Sequence, residues 1–238
     1  MTASNADIKL VRSLREKKFR LQEGLFVVEG EKMVSEALAS DFEVLRVFRT
    51  EEIGEGAMSR MTSLSTPSPA LAVVRIPSAP SEVEIKGGLC LALDSVRDPG
   101  NLGTIIRIAD WFGIDAIYAS ADTVELYNPK TVQATMGAIF RRKVYYCDLP
   151  DLCRRFSEGG RQVCGTFMEG DSIYGSTLAP DALIIMGNEA RGISPEVASS
   201  VTSRIHIPSF CGDSPTSESL NVAIATAITV AEFRRRQL

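Results

Sequence analysis

Residues 91–110 read LALDSVRDPGNLGTIIRIAD: an apolar run, a turn built from Pro99, Gly100 and Gly103, then a helical pattern whose oily side is interrupted by Arg107. Strand, loop and helix in that order form the repeating unit of α/β proteins. The first run belongs to GLCLALDSV (88–96), and five more short apolar runs follow it: AIYAS (116–120), KVYYC (143–147), RQVCGTFM (161–168), ALIIMG (182–187) and RIHIP (204–208). Helical patterns fill most of the gaps. Because the runs are continuous rather than alternating, they predict a mostly parallel sheet with helices on both faces.

Upstream of this region the pattern is again α/β, on a smaller scale. A basic helix leads to the strand LFVVEG (25–30), the helix EKMVSEALAS (31–40), the strand FEVLRVFRT (42–50), a weak helix and the strand LAVVRIP (71–77). The stretch PSAPSEVEIKGG (77–88) has turn formers and little periodicity, so it reads as a connector. The division expected is a first domain over 1–80, a linker over 81–87 and a second domain over 88–238. No fixed internal repeat is apparent.

The chain has 238 residues, 45% of them apolar, enough to bury a substantial core. No apolar run approaches membrane-spanning length, and the start MTASNADIKL lacks the basic-then-apolar order of a secretory signal. A cytoplasmic protein without a membrane segment is expected. Cys90, Cys147, Cys153, Cys164 and Cys211 have no paired spacing, which predicts buried thiols and neither a zinc site nor a disulfide framework. With a net charge of −4, polyanion binding has to be local. The densest basic cluster is KLVRSLREKKFR (9–20), where Lys9, Arg12, Arg15, Lys17, Lys18 and Arg20 face one acid, Glu16. It has the character of a phosphate-contacting patch, although a solvated helix face would carry the same charges.

Open parallel sheets bind ligands beyond the carboxyl ends of their strands. Three loops fall there. In DPGNLGTIIRIADWFG (98–113), the spacing is neither the dinucleotide GxGxxG nor a phosphate loop, and Asn101 is placed to cap the helix that follows. Ile105, Ile108, Ala109 and Phe112 make its apolar stripe, whereas Arg107 shares a face with Gly103 and Trp111; a surface pair with Asp110 is the plainer use for that arginine. In LIIMGNEARGIS (183–194), Glu189 accepts either a ligand's donors or those of its own loop, and Ser194 precedes Pro195 as a helix cap. In IHIPSFCGDSPTSESLNVAIATAI (205–228), Ser219 and Asn221 sit at the start of a helix that is apolar almost all round, as caps or as ligand contacts. The chain's one histidine, His206, reads as a strand side chain.

Taken in order, DPGNLGTIIRIA, MGNEARGIS and IPSFCGDSPTSESLNVAIATAI resemble the three signature motifs of the SpoU family of RNA 2′-O-ribose methyltransferases, the TrmH-like branch of the knotted SPOUT enzymes. YNPKTVQATMGAIFRRKV (127–144) is similar to the family's segment between the first two motifs. The third motif departs from the compact pattern: it is longer between Ile207 and Ser219, and Ser209 stands where methionine is usual. The resemblance implies a deep trefoil knot at the C-terminal end, a homodimer through the C-terminal domain, and S-adenosylmethionine as methyl donor, with no metal. It implies a donor pocket lined by Thr166, Gly187, Ile207 and Leu220, and Asn101, Arg107, Glu189, Ser219 and Asn221 at the catalytic positions. The N-terminal part resembles the ribosomal-protein-like substrate domain of such enzymes, partly through FVVEGEKMVSEAL (26–38), and implies binding of structured RNA.

Methyl transfer to a ribose hydroxyl requires an in-line sulfonium, loss of a proton and stabilisation of the developing alkoxide. Family accounts often make the arginine at position 107 the base, but a guanidinium barely deprotonates in proteins. Arg107 is therefore expected to bind phosphate and the incipient oxyanion, with the proton leaving to a substrate phosphate or water. The additional N-terminal domain favours ribosomal RNA as substrate. Transfer RNA, or a noncatalytic RNA-binding or ribosome-assembly role on the same fold, are the alternatives.

Overall fold

The computed structural model describes residues 3–78, 83–211 and 217–238. Part of the expected linker, residues 81 and 82, and residues 212–216 of the third loop lie outside the described residues. The chain forms two compact units, one comprising Met1–Pro80 with Glu125–Arg141 and the other Ser81–Val124 with Arg142–Leu238.

The first unit begins with two helices where the sequence reads as one, α1 (Asn5–Ser13) and α2 (Lys17–Glu23). Ser4 and Asp7 cap α1 reciprocally, and Gly24 ends α2 in the left-handed region at φ 65°. Then follow β1 (Leu25–Glu29), α3 (Glu31–Leu38), β2 (Val44–Arg49), α4 (Thr50–Ile53), α5 (Glu55–Met61) and β3 (Ala70–Arg75). The sheet order is β1-β3-β2, and β3 is antiparallel to both neighbours. Ile8, Val11 and Leu14 meet Met58 and Met61 over Leu25, Phe48, Leu71 and Val73 in the core.

The second unit opens with β4 (Leu89–Leu93), α6 (Pro99–Trp111) and β5 (Ala116–Ala119). The chain then returns to the first unit for Glu125–Arg141, which contains α7 (Pro129–Thr135) and a single turn at Ala138–Phe140. The sequence division leaves this segment with the second domain. Its side chains explain where it packs: Phe26 lies 4.7 Å from Tyr127 and Phe42 lies 5.2 Å from Phe140, ring centre to ring centre. Back in the second unit come β6 (Val144–Tyr146), α8 (Leu149–Glu158), β7 (Gln162–Ser172), β8 (Ala182–Met186), α9 (Pro195–Ala198), β9 (Ser203–His206) and α10 (Val222–Arg235).

All six expected strands are present, and every pairing in the order β6-β5-β4-β8-β7-β9 is parallel. Each residue of β4, β5 and β8 is buried, so the centre of the sheet is covered on both faces. Leu149, Leu152, Cys153 and Phe156 of α8 pack on Cys90, Ala92, Tyr118 and Leu183, while α6 packs against α10. From β4 the chain runs outward through β5 to β6, and it later returns to β4's other side with β8. The crevice where the direction reverses is the usual ligand position of such sheets. The loops after β4 and β8 meet there.

β7 holds a bulge: Ile205 of β9 faces both Thr166 and Asp171, and the residues between loop out. Gly170 has φ 151° there, and a Cβ would come 2.7 Å from the Arg204 carbonyl oxygen, so only glycine fits. Cys90, Cys153 and Cys164 are buried as expected, but Cys147 is only partly covered and Cys211 is exposed.

Candidate active site

The first loop leaves β4 through Asp94, whose Oδ2 accepts from the Ser194 amide at 2.7 Å. The cap of α6 is Asp98, not Asn101: Asp98 Oδ1 accepts from the Asn101 amide at 2.8 Å, with Pro99 at the first helical position. Moving the cap three residues back puts Asn101 inside the first turn and frees its side chain for other partners.

Those partners come from the other two loops. Asn101 Nδ2 donates to Glu189 Oε1 at 2.9 Å, and Asn101 Oδ1 accepts from Asn221 Nδ2 at 2.8 Å. Asn221 also caps α10, its Oδ1 accepting from the Ala223 and Ile224 amides at 3.0 and 3.2 Å. Capping and long-range bonding, which the sequence leaves as alternatives, are thus performed together by the two ends of one amide.

Glu189 takes donors from the first loop and not merely its own. The amides of Asp98 and Arg97 lie 3.3 and 3.4 Å from its carboxylate oxygens, and Asn188 Nδ2 lies 3.3 Å away. Burial would raise its pKa, but the bonds from Asn101 and the loop amides outweigh that and hold it below the usual glutamate value. It is an acceptor-only carboxylate at neutral pH. Asn188 braces the loop, donating to the Ser95 carbonyl at 2.7 Å and accepting the Ala190 and Arg191 amides at 3.0 Å each. Gly187 is buried, and a Cβ there would overlap the backbone of Gly192 and Ile193, which cross back through two 2.9 Å bonds between Asn188 and Gly192.

Three of the five expected catalytic residues therefore form one bonded chain. Arg107 and Ser219 do not join it: both are exposed, and their side chains make no hydrogen bond or ion pair among the described residues. The plainer use for Arg107 is not made: Asp110 Oδ1 accepts instead from Arg142 Nε at 3.0 Å. Of the expected donor-pocket residues, Thr166 donates from its hydroxyl to the Ile185 carbonyl at 2.9 Å, tying β7 to β8; Ile207 is partly buried and Leu220 is 48% exposed. Ser194 stands at the expected cap position of α9, yet its side chain makes no capping bond. His206 lies in β9, as expected.

The basic cluster divides. Arg20 is 2% exposed, and its guanidinium is spent on Glu125, at 3.0 and 2.7 Å, and on the Leu14 and Arg15 carbonyls, at 2.8 Å each; it is withdrawn from any phosphate. Arg15 is exposed but donates to the carbonyls of Met61 and Thr62. Lys9, Arg12, Lys17 and Lys18 are exposed and enter no ion pair among the described residues. Sequence reasoning passed over Asp94, Ser95, Asp98 and Asn188 as site residues. Only Asp98 carried a signal, an acid directly before a proline that starts a helix.

Residues 88–231 match the family model of the SpoU rRNA Methylase family. The chain belongs to that family. Residues 5–73 match the MRM3-like substrate binding domain. Among SpoU relatives, the 23S rRNA (guanosine(2553)-2'-O)-methyltransferase RlmP of Bacillus subtilis is 30% identical over 249 residues, covering 98% of each chain. Among solved structures, a TrmH-family protein from Porphyromonas gingivalis superposes with a TM-score of 0.89 at 38% identity, covering 99% of this chain and 100% of that one. An AdoMet-bound rRNA methyltransferase from Sinorhizobium meliloti superposes with a TM-score of 0.87 at 30% identity, covering 100% and 98%. The three loops that the Asn221, Asn101 and Glu189 side chains bond together all fall within the matched residues. Among the described residues, no group of three or more His, Cys, Asp or Glu side chains could hold a metal ion, and no helix is long and apolar enough to cross a membrane.

Proposed function

We propose that this protein transfers a methyl group from S-adenosylmethionine to a ribose 2′-hydroxyl of ribosomal RNA. The bonded chain Asn221, Asn101, Glu189 carries the reading, because it gathers the three SpoU loops at the crevice between β4 and β8. The name of the Bacillus subtilis relative specifies this reaction on 23S rRNA, and that of the Sinorhizobium meliloti structure specifies both AdoMet and rRNA. The pocket chemistry suits such a donor: the Gly187 turn presents backbone without a side chain, and Ile207 and the half-exposed Leu220 offer apolar surface next to polar Asn221. Bound there, S-adenosylmethionine supplies an electrophilic methyl on a sulfonium.

The residues of the chain divide the remaining work. Thr166, Gly187, Ile207 and Leu220 line the donor pocket. Glu189 and Asn221 fix the Asn101 amide, and Ser219 extends this polar rim. Arg107 contributes a permanent cation to substrate phosphate and to the alkoxide as it forms, and the proton leaves to a substrate phosphate or water.

Among the described residues the Arg107 side chain has no partner, which fits a role in a site completed by a second copy. Trp111 and Ile224, 86% and 52% exposed on the packed pair α6 and α10, supply apolar surface for that homodimer. The trefoil knot that the motifs imply belongs to the same reading. Lys9, Arg12, Lys17 and Lys18 grip the RNA backbone from the first unit, in the cytoplasm. In sequence the two domains are 1–80 and 88–238, with Glu125–Arg141 of the latter folded into the first compact unit.

Nucleoside mass spectrometry of ribosomal and transfer RNA from cells with and without the protein tests the reading. Loss of one 2′-O-methyl nucleoside from ribosomal RNA is expected. Loss confined to transfer RNA would move the substrate, and no loss together with no heat on titration with S-adenosylmethionine would leave an RNA-binding scaffold.

A further inference from the structure

Asp122 lies outside the three loops, in the turn after β5, yet two of the three bonds it accepts come from the first of them. Its carboxylate takes the Ser95 hydroxyl at 2.6 Å, the Ser120 hydroxyl at 2.7 Å and Arg97 Nη2 at 3.1 Å. Ser120 in turn accepts the Ser95 amide at 2.9 Å, and its own amide donates to the Leu93 carbonyl at 3.0 Å. The turns that follow the adjacent strands β4 and β5 are stitched together by these contacts.

Ser95 is the residue that needs stitching. Its φ is 61°, a left-handed conformation that a side chain other than glycine disfavours and that persists where several contacts impose it. The conformation has consequences on the far side of the turn. The Ser95 carbonyl receives Asn188 Nδ2, and the amides of Arg97 and Asp98, two and three residues on, reach the Glu189 carboxylate.

We propose that Asp122 is a positioning residue for methyl transfer: it holds the Ser95–Asp98 turn in the shape that keeps Glu189 bonded to Asn101. The inference rests on the reading of Glu189 and Asn101 as active-site groups. In this arrangement both hydroxyls and the Arg97 guanidinium donate to Asp122, and a carboxylate accepts all three while carrying the charge that faces Arg97. An asparagine loses the charge opposite Arg97 and forces one of the hydroxyls to reverse its bond. The carboxyl is held at a pKa of about 2, chiefly by the Ser95 and Ser120 hydroxyls, with a further contribution from Arg97, so it is ionised at every pH at which the enzyme is assayed.

The test uses the full chain, total ribosomal RNA from cells lacking the protein, and labelled S-adenosylmethionine in single turnover. Asp122→Asn is expected to slow methyl transfer by about tenfold or more. Its affinity for S-adenosylmethionine, measured by calorimetry, and its Tm should stay near wild type. The double variant Asp122→Asn with Glu189→Gln should be no slower than Glu189→Gln alone, because both act through one carboxylate. Unimpaired turnover in Asp122→Asn, or losses that multiply in the double variant, overturns the inference. Full turnover in Glu189→Gln alone would instead overturn the reading of the site, and the route from Asp122 with it.

Discussion

Asn221 Nδ2 lies 2.8 Å from Asn101 Oδ1, although 120 residues separate the two in the chain. This bond joins the cap of α10 to the first turn of α6, so the helix that closes the fold and the helix that opens the site share one polar contact. Asn221→Asp separates its two functions. An aspartate still caps Ala223 and Ile224, but it has no proton for Asn101 and brings a second carboxylate close to Glu189. The Tm should stay within a few degrees of wild type while methyl transfer falls by about tenfold or more, as read by thermal denaturation and single-turnover assay.

The Arg107 side chain is exposed and makes no bond among the described residues, so its replacement should not cost stability. Arg107→Lys keeps the charge and loses the planar fork. A fall of about 100-fold in kcat is expected, with Tm unchanged and RNA affinity near wild type. Full turnover with unchanged RNA binding would remove Arg107 from the reaction.

Arg20 and Arg107 show from opposite directions why charge patterns are hard to read. In sequence, Arg20 belongs to a basic run and Arg107 interrupts an apolar helix, yet Arg20 is the buried one. The six strands and three loops were legible because continuous apolar runs and turn formers are local signals. The partner of Arg20 is 105 residues away, beyond any periodicity. Asn101 reads locally as the helix cap, because either Asp98 or Asn101 can start the helix and only the distant Glu189 and Asn221 decide between them. The Asp122 network left no trace in the motifs because it works through a turn of the neighbouring strand.

Breaking the Arg20 pair should be costly. Glu125→Ala leaves a guanidinium that is 2% exposed without its carboxylate, a change typically worth about 3–5 kcal/mol. Lys17→Ala with Lys18→Ala removes only exposed charge and should leave Tm unchanged, yet weaken RNA binding and flatten its salt dependence by about two contacts. Urea denaturation and filter binding at several salt concentrations check the two halves.

Thiol chemistry should separate the cysteines. Cys211 is exposed and should react first with a thiol reagent at neutral pH. Burial pushes Cys90 up to about 11 and Cys153 and Cys164 up to about 12, so these should stay silent until the chain unfolds. A raised folded pKa gives stability that is whole below the unfolded value of 9.0 and is lost as pH climbs toward 11–12. Denaturation midpoints should therefore decline above about pH 9, and a flat profile to pH 11 would contradict the assignment.

The return of Glu125–Arg141 to the first unit limits how this architecture can be recombined. A graft that exchanges only the first 80 residues between related enzymes strands Arg20 without Glu125, and Phe26 and Phe42 without Tyr127 and Phe140. Swapping target preference between such enzymes would require two cassettes to travel together, the leading piece and the excursion after β5. In inheritance as in engineering, the front half is not a detachable tandem module.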